Sequence, residues 1–106
     1  MDCTALELKE KLAAGEDFLL LDVRTPEEFG IVRLEPAKLV PLHDLAARLD
    51  DLAEWRGREV VCLCHHGIRS AQACAFLKSK GFTNVRNMTG GIDAYAVEAN
   101  QALTRY

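Results

Sequence analysis

The sequence predicts an α/β fold: an open, mostly parallel central sheet of about five short strands with helices on both faces. Three observations predict it. The runs Phe18–Val23 and Glu59–Leu63 carry no polar face, as strands buried on both sides of a parallel sheet do. Segments with helical patterns or helix start and stop signals separate those runs, so strand and helix alternate. Nothing resembling a linker, repeat or low-complexity tract interrupts the alternation, so residues 1–106 read as a single domain.

The elements follow in order. Thr4-Ala5-Leu6-Glu7 is a capping box, opening a helix expected to run to Ala14 and stop at Gly15. The strand Phe18–Val23 comes next. Thr25-Pro26-Glu27-Glu28 is a second capping box with Pro at the first helical position, and Gly30 keeps its helix short. Leu39-Val40 before Pro41 predicts a brief strand at an edge or strand end. Leu42, Leu45, Ala46, Leu49, Leu52 and Ala53 predict one amphipathic α-helix over 43–55. After the strand Glu59–Leu63, a helix is expected from Ser70 to Lys80, stopped by Gly81. Val85–Met88 predicts a last strand, and Thr89-Gly90-Gly91 turns the chain into a final helix. Ligands of such sheets bind beyond the carboxyl ends of the strands, so the end of Glu59–Leu63 is the first place to look.

Composition narrows the function. Sixteen acidic against thirteen basic residues give a formal charge of −3, which argues against nucleic acid as partner. The longest apolar run, Phe18-Leu19-Leu20-Leu21, is strand-sized, so no membrane span is expected. The start, Met1-Asp2-Cys3-Thr4, has no basic, apolar secretory pattern, which predicts a cytoplasmic protein. The thiols of Cys3, Cys62, Cys64 and Cys74 are accordingly expected to be reduced.

After the apolar strand the chain reads Cys64-His65-His66-Gly67-Ile68-Arg69-Ser70. A cysteine leaves a buried strand, a tight loop follows, and a helix begins. Loop N–H groups can curl around one point as an anion nest, and the helix N-terminus adds its partial positive charge there. Arg69 adds a permanent cation, and Gly67 permits backbone angles closed to other residues. All of these favour a thiolate at Cys64. The pattern is that of a nucleophile facing an anion.

This loop resembles the active-site loop of the rhodanese-like sulfurtransferases, in a small single-domain version. Leu21-Asp22-Val23-Arg24 with Glu28-Phe29 resembles the family's first signature, followed by Ala37 and Val40-Pro41-Leu42. Phe82 with Val85, then Thr89-Gly90-Gly91-Ile92 and Ala94-Tyr95, resembles its closing signature. The resemblance implies sulfane-sulfur transfer. Cys64 would take sulfur from thiosulfate or a persulfide, hold it as its own persulfide, and pass it to cyanide, a thiol or a protein acceptor. His65, His66, Gly67, Ile68 and Arg69 would bind the donor, with Arg69 meeting the anion or positioning the loop. No cofactor and no metal are implied. The chain departs from the pattern at Val32-Arg33-Leu34, where Gly-His-Ile is usual. It departs again at Tyr95, where Trp is frequent, and at His65, where Arg is common.

Simpler readings cover the remaining residues. Cys62 and Cys74 fit the core, and Cys3, close to the chain end, is expected to carry no role. Arg24 reads as a structural partner of Asp22 or Glu28. Cys62, Cys64, His65 and His66 lie too close together in the chain to surround one metal ion. A cysteine-dependent phosphatase or arsenate reductase would have one more residue between Cys and Arg than His65-His66-Gly67-Ile68 provides. A non-catalytic interaction module would be expected to lack the Cys64 nucleophile.

Overall fold

The computed structural model describes residues 2–106. Its five strands are β1 (Asp2–Cys3), β2 (Leu19–Asp22), β3 (Lys38–Leu39), β4 (Glu59–Leu63) and β5 (Asn84–Met88). All pair in parallel, in the order β1-β5-β4-β2-β3, so β4 is central. The helices are α1 (Ala5–Ala13), α2 (Pro26–Ile31), α3 (Ile68–Ser79) and α4 (Gly91–Glu98).

Alternation along the buried strands builds a core on each face of the sheet. Leu19, Leu21, Val60, Cys62 and Val85 face one side, where they meet Ala73, Cys74 and Leu77 of α3. Leu20, Val61, Leu63 and Met88 face the other, against Leu8 of α1 and Ile92 and Tyr95 of α4. Leu21 is fully buried. Leu21→Ala should therefore cost ~2–5 kcal/mol through the cavity it leaves, read as a lower urea midpoint with unchanged slope. A cost below about 1 kcal/mol would mean that the site collapses without a cavity.

Both capping boxes form. The Glu7 N–H donates to Thr4 Oγ1 and the Thr4 N–H to the Glu7 carboxylate, at 3.1 and 3.0 Å. Thr25 and Glu28 repeat the arrangement.

Two expectations are corrected. The single α-helix over 43–55 is replaced by two 3-10 segments, Leu42–Asp44 and Leu49–Trp55. Leu42 and Leu45, then Leu49, Leu52 and Trp55, are spaced by three, and three residues per turn is the 3-10 repeat. That spacing brings the apolar side chains onto one line, which an α-helix would fan apart. Cys3 is not incidental: it is fully buried in β1, which pairs with the end of β5. A two-residue strand is too short to leave a pattern in the sequence.

Candidate active site

The carboxyl end of β4 delivers the chain into the loop 64–67, and α3 opens directly after it at Ile68. Ser70, expected at the helix start, lies inside the first turn and is fully buried. Gly67 takes φ +100°, a left-handed conformation that favours glycine, and this turns the loop sharply into α3. The turn aims the Gly67 N–H at Cys64 Sγ, 3.0 Å away. Among the described residues this is the one amide that reaches the sulfur; no wider ring of amides surrounds it. Ser70 Oγ lies 3.3 Å from the same sulfur and donates to Asn87 Oδ1 at 2.5 Å. Asn87 in turn donates to the Gly67 carbonyl at 3.2 Å, closing a circuit from β5 back to the loop.

The other side of the loop is held by α4. The Ile92 N–H donates to the Cys64 carbonyl at 2.8 Å and the Asp93 N–H to the His65 carbonyl at 3.1 Å. Those first-turn amides would otherwise lack partners. Such close approach is open only to glycine at position 91, because a Cβ there would overlap the carbonyls of Cys64 and His65. Gly91→Ala should distort the loop, lowering both thermal stability and sulfur-transfer rate. An unchanged melting temperature and rate would show that the two backbones separate without cost.

Arg69 makes its hydrogen bonds to Glu28 and none to the sulfur. Its Nη1 and Nη2 donate to the two oxygens of Glu28, at 2.5 and 2.8 Å. This bidentate pair holds the Glu28 carboxyl well below the usual carboxylate range. A carboxyl lowered in the folded state stabilises above its unfolded value near 4.3, and that contribution is lost as pH falls. Glu28→Gln cannot titrate, so from about pH 5 downward the parent should lose more stability than the variant. Parallel acid profiles would remove the pair from the stability of the loop.

Tyr106 completes this cluster. Its hydroxyl donates to Glu28 Oε2 at 2.7 Å and accepts from Arg24 Nη1 at 3.1 Å. Its ring stacks on His65 with centroids 3.8 Å apart and planes 8° apart, and His66 stacks on the opposite face at 3.9 Å. Burial pushes the His65 imidazole below its usual value, toward the neutral form. Cys64 itself is only 1% exposed. Ile68 is 72% exposed at the start of α3.

His65, His66 and Asp93 bring three ligand atoms within 4.8 Å of one another. The two imidazoles are stacked face to face, whereas a shared metal ion must lie near both ring planes, and Arg105 already holds the Asp93 carboxylate. The arrangement does not fit a metal.

Comparison with known proteins identifies the architecture. The rhodanese-like domain model matches residues 4–98. The chain belongs to the rhodanese-like domain family. It is 40% identical over 89 residues to a sulfurtransferase of Allochromatium vinosum, covering 84% of this chain and 81% of that protein. It is 36% identical over 104 residues to "Probable adenylyltransferase/sulfurtransferase MoeZ" of Mycobacterium tuberculosis, and there it spans 97% of this chain but only 26% of the relative. A rhodanese-like domain protein from Staphylococcus aureus superimposes with TM-score 0.80 at 29% identity, covering 100% and 99% of the two chains. A sulfur-transfer role follows for this rhodanese-like domain. Glu28, Asn87, Ser70, Gly91 and Tyr106 join its expected site residues. Glu28, Ser70 and Gly91 lie inside the signature segments quoted above, Glu28 as the third helical residue of its capping box, whereas nothing local in the sequence marks Asn87 or Tyr106.

Proposed function

We propose that this rhodanese-like domain transfers sulfane sulfur through a persulfide on Cys64. One observation carries the reading: Cys64 Sγ sits between a central strand and a helix start, within reach of the Gly67 N–H at 3.0 Å and the Ser70 hydroxyl at 3.3 Å. In the thiol form the S–H donates to Ser70 Oγ while the Ser70 hydroxyl serves Asn87. When the sulfur ionises, the hydroxyl can turn its single hydrogen toward it. The Gly67 N–H and the partial charge of the α3 start then hold one negative charge at that point, first on the thiolate and later on the terminal sulfur of the persulfide.

The Cys64 thiolate forms a bond to the sulfane sulfur of a donor, of which thiosulfate is the simplest. The donor's own S–S bond breaks and its electron pair leaves with sulfite. Cyanide or a thiol, free or on a protein partner, then takes the outer sulfur and restores the Cys64 thiolate. Gly67 and His65, with the exposed His66 and Ile68, border the path of the incoming molecule. Arg69, tied to Glu28, positions the loop. The described residues hold no helix long and apolar enough to cross a membrane, and all four cysteines are free. Both facts support work in a reducing cytoplasm. Initial rates with donor and acceptor varied together test the scheme. Parallel double-reciprocal lines are expected, and intersecting lines would require both substrates bound at once, without a persulfide.

A further inference from the structure

Among the described residues, the arginines around the Cys64 loop are already paired. Arg69 is held by both oxygens of Glu28. Arg24 pairs with Asp22 at 2.7 Å, with both side chains fully buried. Arg105 is paired with Asp93 at 2.8 Å. The first-turn amides of α4 are spent on the Cys64 and His65 carbonyls. What remains beside the sulfur is the start of α3, equivalent to roughly half a positive charge. That is too little to hold a dianion.

An apolar recess lies on the same side of the sheet. A cavity of about 280 Å³ is lined by Val23, Pro41 and Leu42 together with Arg24, Thr25, His43 and Arg69, and its exposed surface is mostly apolar. The pairing Asp22↔Leu63, and the bond from the Val23 N–H to the Leu63 carbonyl, place Val23 directly beside Cys64. Both side chains face the same core cluster, one strand spacing of ~4.8 Å apart. An alkyl group packed on Val23 in this recess would therefore lie about one strand spacing from the Cys64 side chain.

We propose that this site draws its sulfur from an alkyl persulfide in preference to a free inorganic dianion such as thiosulfate, with the cavity holding the alkyl group. The inference rests on the sulfur-transfer reading above. The Cys64 thiolate bonds to the terminal sulfur of R–S–SH as the donor's S–S bond breaks. The bonding pair leaves on R–S⁻, the hydrogen stays on the transferred sulfur, and the exchange is neutral in electrons. Glu28 sets the preference by cancelling Arg69.

The test loads the full chain with butyl persulfide generated in situ, or with thiosulfate, and follows the gain of one sulfur on Cys64 by intact mass. Each rate is divided by that of the same donor with free cysteine, which removes the donors' intrinsic reactivity. Butyl persulfide should be favoured at least ~10-fold, and thiosulfate loading should stay flat between ~20 and ~500 mM salt. Glu28→Gln, which frees the Arg69 charge, should raise thiosulfate loading ~10-fold and make it salt-sensitive. Equal or faster normalised loading by thiosulfate in the parent protein overturns the preference while leaving persulfide chemistry intact. A folded Glu28→Gln protein with unchanged thiosulfate loading also overturns it. Failure of both donors to load Cys64 instead removes the sulfur-transfer reading itself.

Discussion

Replacing Cys64 by alanine is expected to lower kcat/KM for sulfur transfer by at least ~10³-fold, because no other thiol can take over the bond to sulfur. Cys62 shares its side of the sheet but is fully buried two residues earlier on β4, and Cys74 is 6% exposed within α3, packed into the core. The fold should persist, since the substitution removes one small atom at a strand end and costs on the order of 1 kcal/mol. Circular dichroism and a urea titration establish the intact fold, and a donor–acceptor assay reads the loss. Substantial retained turnover in the folded variant would transfer the nucleophile's role to another cysteine.

Arg24→Met should produce the largest loss of stability. The guanidinium is fully buried and is held by Asp22, the carbonyls of Val32 and Glu28, and the Tyr106 hydroxyl. Methionine fills much of the same volume but leaves the Asp22 carboxylate buried without its counter-charge. Loss of one member of such a pair costs about 3–5 kcal/mol. Changing Asp22→Leu together with Arg24→Met removes the stranded charge and should recover part of that loss. Midpoints of urea unfolding for the parent, both single variants and the double variant decide it. A single-variant cost below about 1 kcal/mol would show that water reaches the pair.

The sequence carried the parts of this protein whose causes are local. Thr4 with Glu7 and Thr25 with Glu28 cap helices through atoms three residues apart, so both starts could be read directly. The apolar runs ending at Asp22 and Leu63 declared strands buried on both faces, and Cys64 followed from its place at the end of one of them. The short turns of 42–55 were misread because their apolar residues suit either helix type over a few residues. The site's electrostatics were illegible for a different reason. Arg69 finds Glu28 across 41 residues and Tyr106 finds it across 78, distances at which only the assembled sheet brings side chains together. Reading Arg69 from its loop alone gave a free cation; the fold supplies its counter-charge. Gly91 likewise reads as a turn residue until α4 is laid against the Cys64 carbonyl.

Intact-protein mass after brief exposure to a sulfane-sulfur donor, followed by peptide mapping, addresses the covalent intermediate itself. The mechanism requires the mass of one sulfur atom to appear on the peptide containing Cys64 and to vanish when a thiol acceptor is added. An unchanged mass, or sulfur lodged on Cys3, Cys62 or Cys74 instead, would contradict it.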